Sequence, residues 1–149
     1  MPNNAPEQIA IDHDDYHAEH LGHLPDGRQF FLTTPFVPAY GGVEGSEFVA
    51  LYLFDEDGAL LESKIENFGP RATMDEIRRK AVYDEWLRDL GEVVFDRIEV
   101  APFVIEREGI QFGLVPRPPE DEEDEWAVEM QPGNYMAFFA PWDSGVYDT

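Results

Sequence analysis

Hydrophobic residues in this chain occur in short runs separated by turn-forming residues, which predicts many short β-strands. The longest run without a charge is FVALYLF, residues 48–54, and we expect it to be a central strand covered on both faces. Residues 55–58 (DEDG) predict a turn, after which residues 59–68 form a partner strand that is partly exposed. Strict alternation within this second strand places Leu60 and Ile65 on opposite faces.

Turn signals divide the rest of the chain into further hairpins. Pro25-Asp26-Gly27 predicts a hairpin between residues 16–24 and 28–34, because these residue types favour tight turns. Glu108-Gly109 and Pro132-Gly133-Asn134 predict two more hairpin turns. The remaining predicted strands are residues 93–103, 104–107, 110–115, 126–130 and 135–139. We expect a bend at Pro102 to interrupt the first of them.

One segment, beginning at Thr73, is predicted to form a long helix. Glu76 lies three residues later and completes a capping box, and Gly91 is a natural stop. The apolar residues lie on two opposite sides, so either the helix breaks near residues 81–82 or its first turns pack on a different element from its last turns, and we expect the second. One side comprises Met74, Ile77 and Ala81, and the other comprises Tyr83, Trp86, Leu87 and Leu90.

These elements predict an α+β fold, mainly an antiparallel sheet of hairpins with one long helix packed on a face. The 149 residues fit one domain, which we place at residues 16–149 after a flexible N-terminal segment, residues 1–15. The first residues carry no basic region and no apolar run, and no stretch approaches the ~18 apolar residues of a membrane-spanning helix. We therefore expect a cytoplasmic protein.

The charge balance is strongly acidic: 32 Asp and Glu residues against 10 Lys and Arg give a formal net charge of -22. Such a surface repels phosphate backbones and anionic lipids, which argues against nucleic-acid and membrane binding. The same acidity is also typical of a surface adapted to salt, so it does not by itself identify a function. The absence of cysteine excludes disulfides, thiolate metal ligands and a cysteine nucleophile.

A continuous acidic run, residues 120–125, is the candidate partner-binding site. Runs of this kind are usually solvated loops. The alternative is an electrostatic docking strip for a basic protein partner, with a tryptophan beside it as an anchor. The candidate residues are Glu120, Asp121, Glu122, Glu123, Asp124, Glu125 and Trp126.

The four histidines, His13, His17, His20 and His23, lie within eleven residues and are the candidate metal ligands. On a helix, the first three would share one face at a spacing that is workable for zinc. On a strand, His17 and His23 share a face and His20 points away. Exposed histidines on a polar segment are the commoner case, so we expect no metal and no other cofactor.

Several short blocks of sequence carry a family resemblance. They are Gly22 with DGRQF (26–30), LYLFD (51–55) with Asp57-Gly58, Phe112-Gly113-Leu114, and Pro141-Trp142-Asp143 with Tyr147-Asp148-Thr149. These blocks are similar to motifs of a group of bacterial proteins of similar length that carry the name formate hydrogenlyase regulatory protein, HycA-like. The resemblance implies regulation of a hydrogenase operon and supplies no catalytic residues.

The basic residues of the predicted helix do not form a DNA-reading surface. Residues 74–90 contain Arg78, Arg79, Lys80 and Arg88, but five acidic residues offset them. Direct action on DNA is therefore disfavoured, whereas a protein that titrates a regulator fits the charge.

We therefore expect a non-enzymatic, acidic protein-interaction module, of a regulatory or immunity type, that binds a basic protein partner. One alternative is a metal-dependent enzyme that uses the N-terminal histidine cluster. Another is an orphan soluble domain whose acidity is environmental. The sequence favours a non-enzymatic role over an enzymatic one and does not determine the oligomeric state.

Overall fold

The computed structural model describes residues 5–15, 17–142 and 147–148, and within these ranges the chain is mostly antiparallel β-sheet with one α-helix. Sequence predictions that fall on residues 1–4, 16, 143–146 and 149 lie outside the described residues. The elements are β1 Ile9–Ile11, β2 His20–His23, β3 Gln29–Thr33, β4 Phe36–Val37, β5 Ser46–Phe54, β6 Leu60–Asn67, α1 Glu76–Asp89, β7 Val94–Phe95, β8 Ile98–Val100, β9 Phe103–Arg107, β10 Ile110–Arg117, β11 Ala127–Gln131, β12 Ala137–Phe139 and β13 Tyr147–Asp148.

The described strands form three antiparallel sheets. The largest has the strand order β4-β5-β3-β2-β7, and β6 pairs with β5 outside this order. A five-stranded sheet has the order β13-β12-β11-β10-β9, and β1 pairs with β8 in a two-stranded sheet. The fold is therefore α+β with a strong predominance of sheet.

β5 lies at the centre of the core, as its uncharged run predicts. Ala50, Tyr52 and Phe54 face a first hydrophobic cluster, which also contains residues of β1, β8, β10, β11 and β12. Val49 and Leu51 face a second cluster, against which residues of α1 pack. Because successive side chains of a strand point to opposite faces, β5 is buried on both sides.

The four predicted hairpin pairings are confirmed, the first being β5 with β6 across residues 55–58. The strand predicted at residues 16–24 is shorter than expected, because β2 covers only His20–His23. β2 pairs with β3 across the turn at residues 25–27, where the Leu24 N–H donates to the Arg28 carbonyl over 2.8 Å. β9 pairs with β10 across Glu108 and Gly109, which have φ values of 55° and 77°. Two successive left-handed residues are what a two-residue hairpin turn of type I′ requires. β11 pairs with β12 beyond the predicted turn at residues 132–134.

β6 departs from the predicted alternation at one residue, Leu61. Leu53 pairs with Glu62 and Phe54 pairs with Leu60, so Leu61 is the extra residue of a β-bulge. The bulge shifts the phase of the strand by one residue. As a result Leu60 and Ile65 both pack against the first cluster, and the prediction that they lie on opposite faces is wrong.

The sequence prediction is correct for the C-terminal end of α1 and wrong for its N-terminal end. The predicted cap at Thr73 is wrong, because Asp75 is the N-cap and its carboxylate accepts a 3.0 Å hydrogen bond from the Arg78 N–H. At the other end Leu90 is the C-cap, and Gly91 has a φ of 83°. The predicted stop at Gly91 is therefore confirmed.

Only one side of α1 contacts the second cluster, through Tyr83, Trp86, Leu87 and Leu90. Ile77, on the other side, is 85% exposed. The prediction that the first turns pack on a different element is therefore wrong.

Two predictions near β8 change in part. Within residues 1–15, the segment predicted to be flexible, residues 9–11 form β1, which pairs with β8 in the registers Ile9↔Val100 and Ile11↔Ile98, and both isoleucines are buried. The predicted strand over residues 93–103 is interrupted after residue 100, as expected near Pro102, and it is also divided at residues 96–97, because β7 pairs with β2 whereas β8 pairs with β1.

Within the described part of the chain, α1 is the one helix, and it is neither long enough nor apolar enough to cross a membrane.

Candidate functional site

The acidic run, residues 120–125, forms the connection between β10 and β11. Arg117 binds this connection through hydrogen bonds. The Arg117 guanidinium donates one hydrogen bond to Asp124 Oδ2 over 2.8 Å and another to Glu129 Oε2 over 3.0 Å. These are charge-assisted bonds, which are stronger than bonds between neutral groups. Because Glu129 belongs to β11 and Arg117 to β10, the pair of bonds ties the loop to both strands.

Asp124 shapes the loop instead of pointing outward as a docking charge. Its Oδ2 also accepts a 3.0 Å hydrogen bond from the Glu120 N–H, and its Oδ1 accepts one of 2.9 Å from the Glu125 N–H. These backbone N–H groups, together with the Arg117 guanidinium, hold the pKa of Asp124 below its usual value. Asp124 is therefore ionised over the physiological range, and its carboxylate joins Arg117 to the backbone of the loop.

The other acidic residues of the run are exposed. Among the described residues, no ion pair involves Glu120, Glu122, Glu123 or Glu125. Trp126 beside them is half-buried. The loop thus presents a dense group of unpaired carboxylates on a backbone that is held by hydrogen bonds.

Two of the candidate histidines bond to backbone carbonyls. His13 Nε2 donates to the Glu19 carbonyl over 2.8 Å, and its ring stacks on Phe95 with 5.7 Å between the ring centroids. His23 Nε2 donates to the Arg97 carbonyl, also over 2.8 Å. Since a carbonyl only accepts, the bonded nitrogen carries the proton in each ring.

The other two histidines contact tyrosines and are less basic than usual. His17 meets Tyr135 edge to face, with 5.3 Å between the centroids. His20 Nδ1 forms a 2.5 Å hydrogen bond with the Tyr83 hydroxyl. Burial lowers the pKa of both His17 and His20, and nearby carboxylates oppose part of this effect.

The candidate metal site is not assembled as a group. In residues 5–15, 17–142 and 147–148, no three or more His, Cys, Asp or Glu side chains are arranged to hold one metal ion. The geometry therefore lends no support to His13, His17, His20 and His23 as a single site, and the metal hypothesis is left to experiment.

A third feature, centred on Glu47 of β5, was missed at the level of sequence. Glu47 is only 6% exposed, although it is charged. Two arginines face one of its oxygens: Arg71 Nη2 donates to Glu47 Oε1 over 3.1 Å, and Arg79 Nη1 lies 3.6 Å from the same atom. The Arg71 guanidinium also lies over the Phe36 ring, 5.6 Å from its centroid. A buried carboxylate needs such partners, because an unpaired buried charge is strongly destabilising.

Two adjoining cavities open beside these charges, and together we call them the Glu47 groove. The larger is a cavity of 530 Å³ with mainly apolar walls, and the smaller is a polar cavity of 250 Å³. Phe36, Glu47 and Arg71 line both cavities, so the two share a common wall. The apolar cavity is further lined by Val37, Ala39, Pro70 and Ala72, and the polar cavity by His17, Thr34, Arg79 and Tyr135.

The sequence held one signal of this groove, namely an acidic residue directly before the apolar run 48–54. Nothing local links Glu47 to Arg71 and Arg79, which reach it only after β6 and α1 have packed beside β5. The signal was therefore too weak to identify the groove.

Comparison of the chain with models of known protein families, with curated proteins and with solved structures found no match.

Proposed function

We propose that this protein is a non-enzymatic interaction module, of a regulatory or immunity type, whose acidic surface binds a basic protein partner in the cytoplasm. The observation that carries the proposal is the loop at residues 120–125. Arg117 and Asp124 hold this loop in place, and its other carboxylates are exposed to solvent. A partner therefore meets a loop whose backbone is already held by hydrogen bonds, which lowers the entropic cost of ordering that backbone on association.

The charge of the whole molecule favours the same type of partner. A net charge of -22 speeds the approach of a positively charged protein and slows that of an anionic one. Most basic side chains are moreover paired with acidic groups, so their positive charge is balanced locally and repels a basic partner less. The basic residues in ion pairs are Arg28, Arg71, Arg78, Arg79, Lys80, Arg97 and Arg117.

The concrete form that we favour is a protein that sequesters a basic regulator or toxin. Resemblance to the formate hydrogenlyase regulatory protein group supports a regulatory role, and the acidic surface supports action through another protein instead of through DNA. The docking strip on this view consists of Glu120, Asp121, Glu122, Glu123 and Glu125, beside Trp126.

The test compares two variants that lose the same number of charges. The strip variant carries Glu120→Gln, Asp121→Asn, Glu122→Gln, Glu123→Gln and Glu125→Gln, and it keeps Asp124 so that the Arg117 contact survives. Its matched control removes five scattered exposed carboxylates through Glu56→Gln, Glu62→Gln, Glu85→Gln, Glu92→Gln and Glu106→Gln.

A partner is first captured from native lysate with the wild-type protein and identified, and its association rates are then measured at low and at physiological salt. We expect the strip variant to associate more slowly than the scattered variant, and the difference to shrink as the Debye length falls to ~8 Å. Equal rates for the wild type and both variants at both salt concentrations would contradict the proposal.

A further inference from the structure

We infer that the Glu47 groove is a binding site for a small amphipathic carboxylate, whose apolar body fills the larger cavity and whose single negative charge lies at Arg71 and Arg79. This inference goes beyond the proposed function, because it concerns neither the acidic loop nor a protein partner.

The apolar half of the groove has the size and the walls of a ligand pocket. A volume of 530 Å³ lies within the range of about 300–1,000 Å³ that is usual for small-molecule sites. Phe36, Val37 and Pro70 supply apolar surface on its walls. The short hairpin between Ala39 and Glu44, which both line the cavity, exposes Tyr40 by 85% and Val43 by 70%.

At the end of the groove where the ligand's carboxylate would bind, the buried Glu47 carboxylate orients two arginines. Glu47 engages Arg71 through one 3.1 Å hydrogen bond and Arg79 through a 3.6 Å ion pair. Arg71 is 69% exposed along its side chain, and a guanidinium has five N–H donors. Within the described residues, one of the guanidinium N–H groups of these two arginines makes a hydrogen bond, so the others can reach an incoming anion.

The surroundings favour a ligand with one negative charge over a dianion. Glu47 lines both cavities, Glu44 lines the apolar one and Glu76 lines the polar one. The linings of the two cavities therefore hold two arginines and three glutamates, in a protein whose net charge is -22. A second negative charge on the ligand would be repelled, whereas one carboxylate can form a two-point contact with a guanidinium.

The test uses three probes that share one alkyl chain: sodium octanoate, 1-octanol and octyl phosphate. Each is titrated into isotope-labelled wild-type protein, and the backbone amide signals of Gly45 and Ala72, which line the apolar cavity, are followed by NMR. We expect saturable octanoate binding with a dissociation constant on the order of 1 mM or tighter. 1-Octanol should bind about tenfold more weakly, because it lacks the charge-assisted hydrogen bonds, and octyl phosphate should bind no more tightly than octanoate.

Two arginine variants then locate the charge. Arg71→Gln should weaken octanoate binding by about tenfold and leave 1-octanol binding unchanged, since only the carboxylate contacts the guanidinium. The matched control is Arg107→Gln, which removes the same charge from an exposed position on β9 and should change neither affinity. Arg79→Gln provides a second groove variant if Arg71→Gln does not fold.

The inference is overturned if octanoate causes no saturable shift at Gly45 and Ala72. It is also overturned if 1-octanol binds as tightly as octanoate, or if both groove variants retain wild-type octanoate affinity. Tighter binding of octyl phosphate would overturn the restriction to a single charge. None of these readouts involves residues 120–125, so failure here is distinguishable from failure of the proposed function.

Discussion

The Tyr135 hydroxyl lies 2.8 Å from the Thr33 hydroxyl, and this hydrogen bond joins the connection between β11 and β12 to β3. It thereby links the five-stranded sheet to the largest sheet, across 102 residues of sequence. Burial raises the pKa of Tyr135, although the bond to Thr33 lowers it in part. The phenol therefore remains protonated and available as a donor over the whole working range of pH.

We predict that Tyr135→Phe lowers the free energy of unfolding by about 1–3 kcal/mol, because the Thr33 hydroxyl is buried and loses this partner. Urea denaturation measures the change. Tyr40→Phe is the matched control, since Tyr40 is 85% exposed and its substitution should alter stability by less than about 0.5 kcal/mol. Equal stability of Tyr135→Phe and wild type would show that the bond contributes nothing.

A second prediction tests whether the sheets share one core. Leu114 of β10 is fully buried in the first cluster, alongside Tyr52 of β5. Leu114→Asp should unfold the whole chain, because an unpaired charge in that cluster costs several kcal/mol. Leu61→Asp makes the same substitution at the exposed bulge of β6 and should leave the protein folded. A cooperative thermal transition and native far-UV dichroism in Leu114→Asp would contradict the shared core.

The hairpins were predictable because their information is local. Turn residues such as Asp26-Gly27 and Glu108-Gly109 adopt the backbone conformations that the turns need, and the flanking residues are pairing partners close in sequence. Burial of residues 48–54 on both faces was likewise predictable, because this run contains no charged residue that would have to face solvent.

The features that the sequence did not reveal depend on residues that are far apart. β1 becomes a strand because β8, nearly ninety residues later, supplies its partner. The bulge at Leu61 follows from packing against β5, and alternation alone cannot show it. The Glu47 groove forms only where β5, the segment around Arg71 and α1 meet. Its charged residues are therefore far apart in the sequence and do not form a recognisable motif.

The third prediction concerns titration within the acidic loop. Asp124 accepts hydrogen bonds from backbone N–H groups and from Arg117, and these bonds lower its pKa. Its ionised carboxylate therefore stabilises the folded protein at pH values above the ordinary pKa of 3.8. This stabilisation is lost as the pH falls through the lowered pKa. Arg117→Gln should raise the pKa of Asp124 only in part, because the bonds from the Glu120 and Glu125 N–H groups remain.

Carbon-detected NMR of the Asp124 carboxyl follows this titration. Arg107→Gln removes an equal charge elsewhere and should leave the titration of Asp124 unchanged. A titration of Asp124 at the ordinary carboxyl value in the wild type would show that the loop is not held as described.

The fourth prediction separates the proposed function from the metal-dependent alternative. A structural zinc held by His13, His17, His20 and His23 would contribute on the order of 10 kcal/mol to folding, so a chelator would unfold the protein. We expect the melting temperature of freshly purified protein to be the same with and without EDTA. A loss of many degrees that added zinc restores would favour the metal-dependent enzyme.

The last prediction follows from the environment of His20. Burial lowers the pKa of His20 and the nearby charge of His13 lowers it further, whereas Glu19 and Asp84 oppose the shift. There is therefore a pH range in which the His20 ring is neutral in the folded protein, whereas in the unfolded chain, where its pKa is 6.5, the same ring already binds a proton. Because the unfolded state then holds more protons, His20 makes stability fall as the pH drops below about 6.5, until the folded ring is also protonated.

The measurement compares unfolding free energies of wild type and His20→Gln by urea denaturation at about pH 7.5 and about pH 5.5. Protonation of the many carboxylates acts on both proteins alike, so it cancels in the difference between them. We expect the free energy of unfolding of wild type to exceed that of His20→Gln by most at the higher pH, where the neutral ring keeps its hydrogen bond to Tyr83. This difference should shrink at the lower pH. A difference that grows as the pH falls would mean that the folded protein stabilises the protonated ring, and that burial does not dominate at His20.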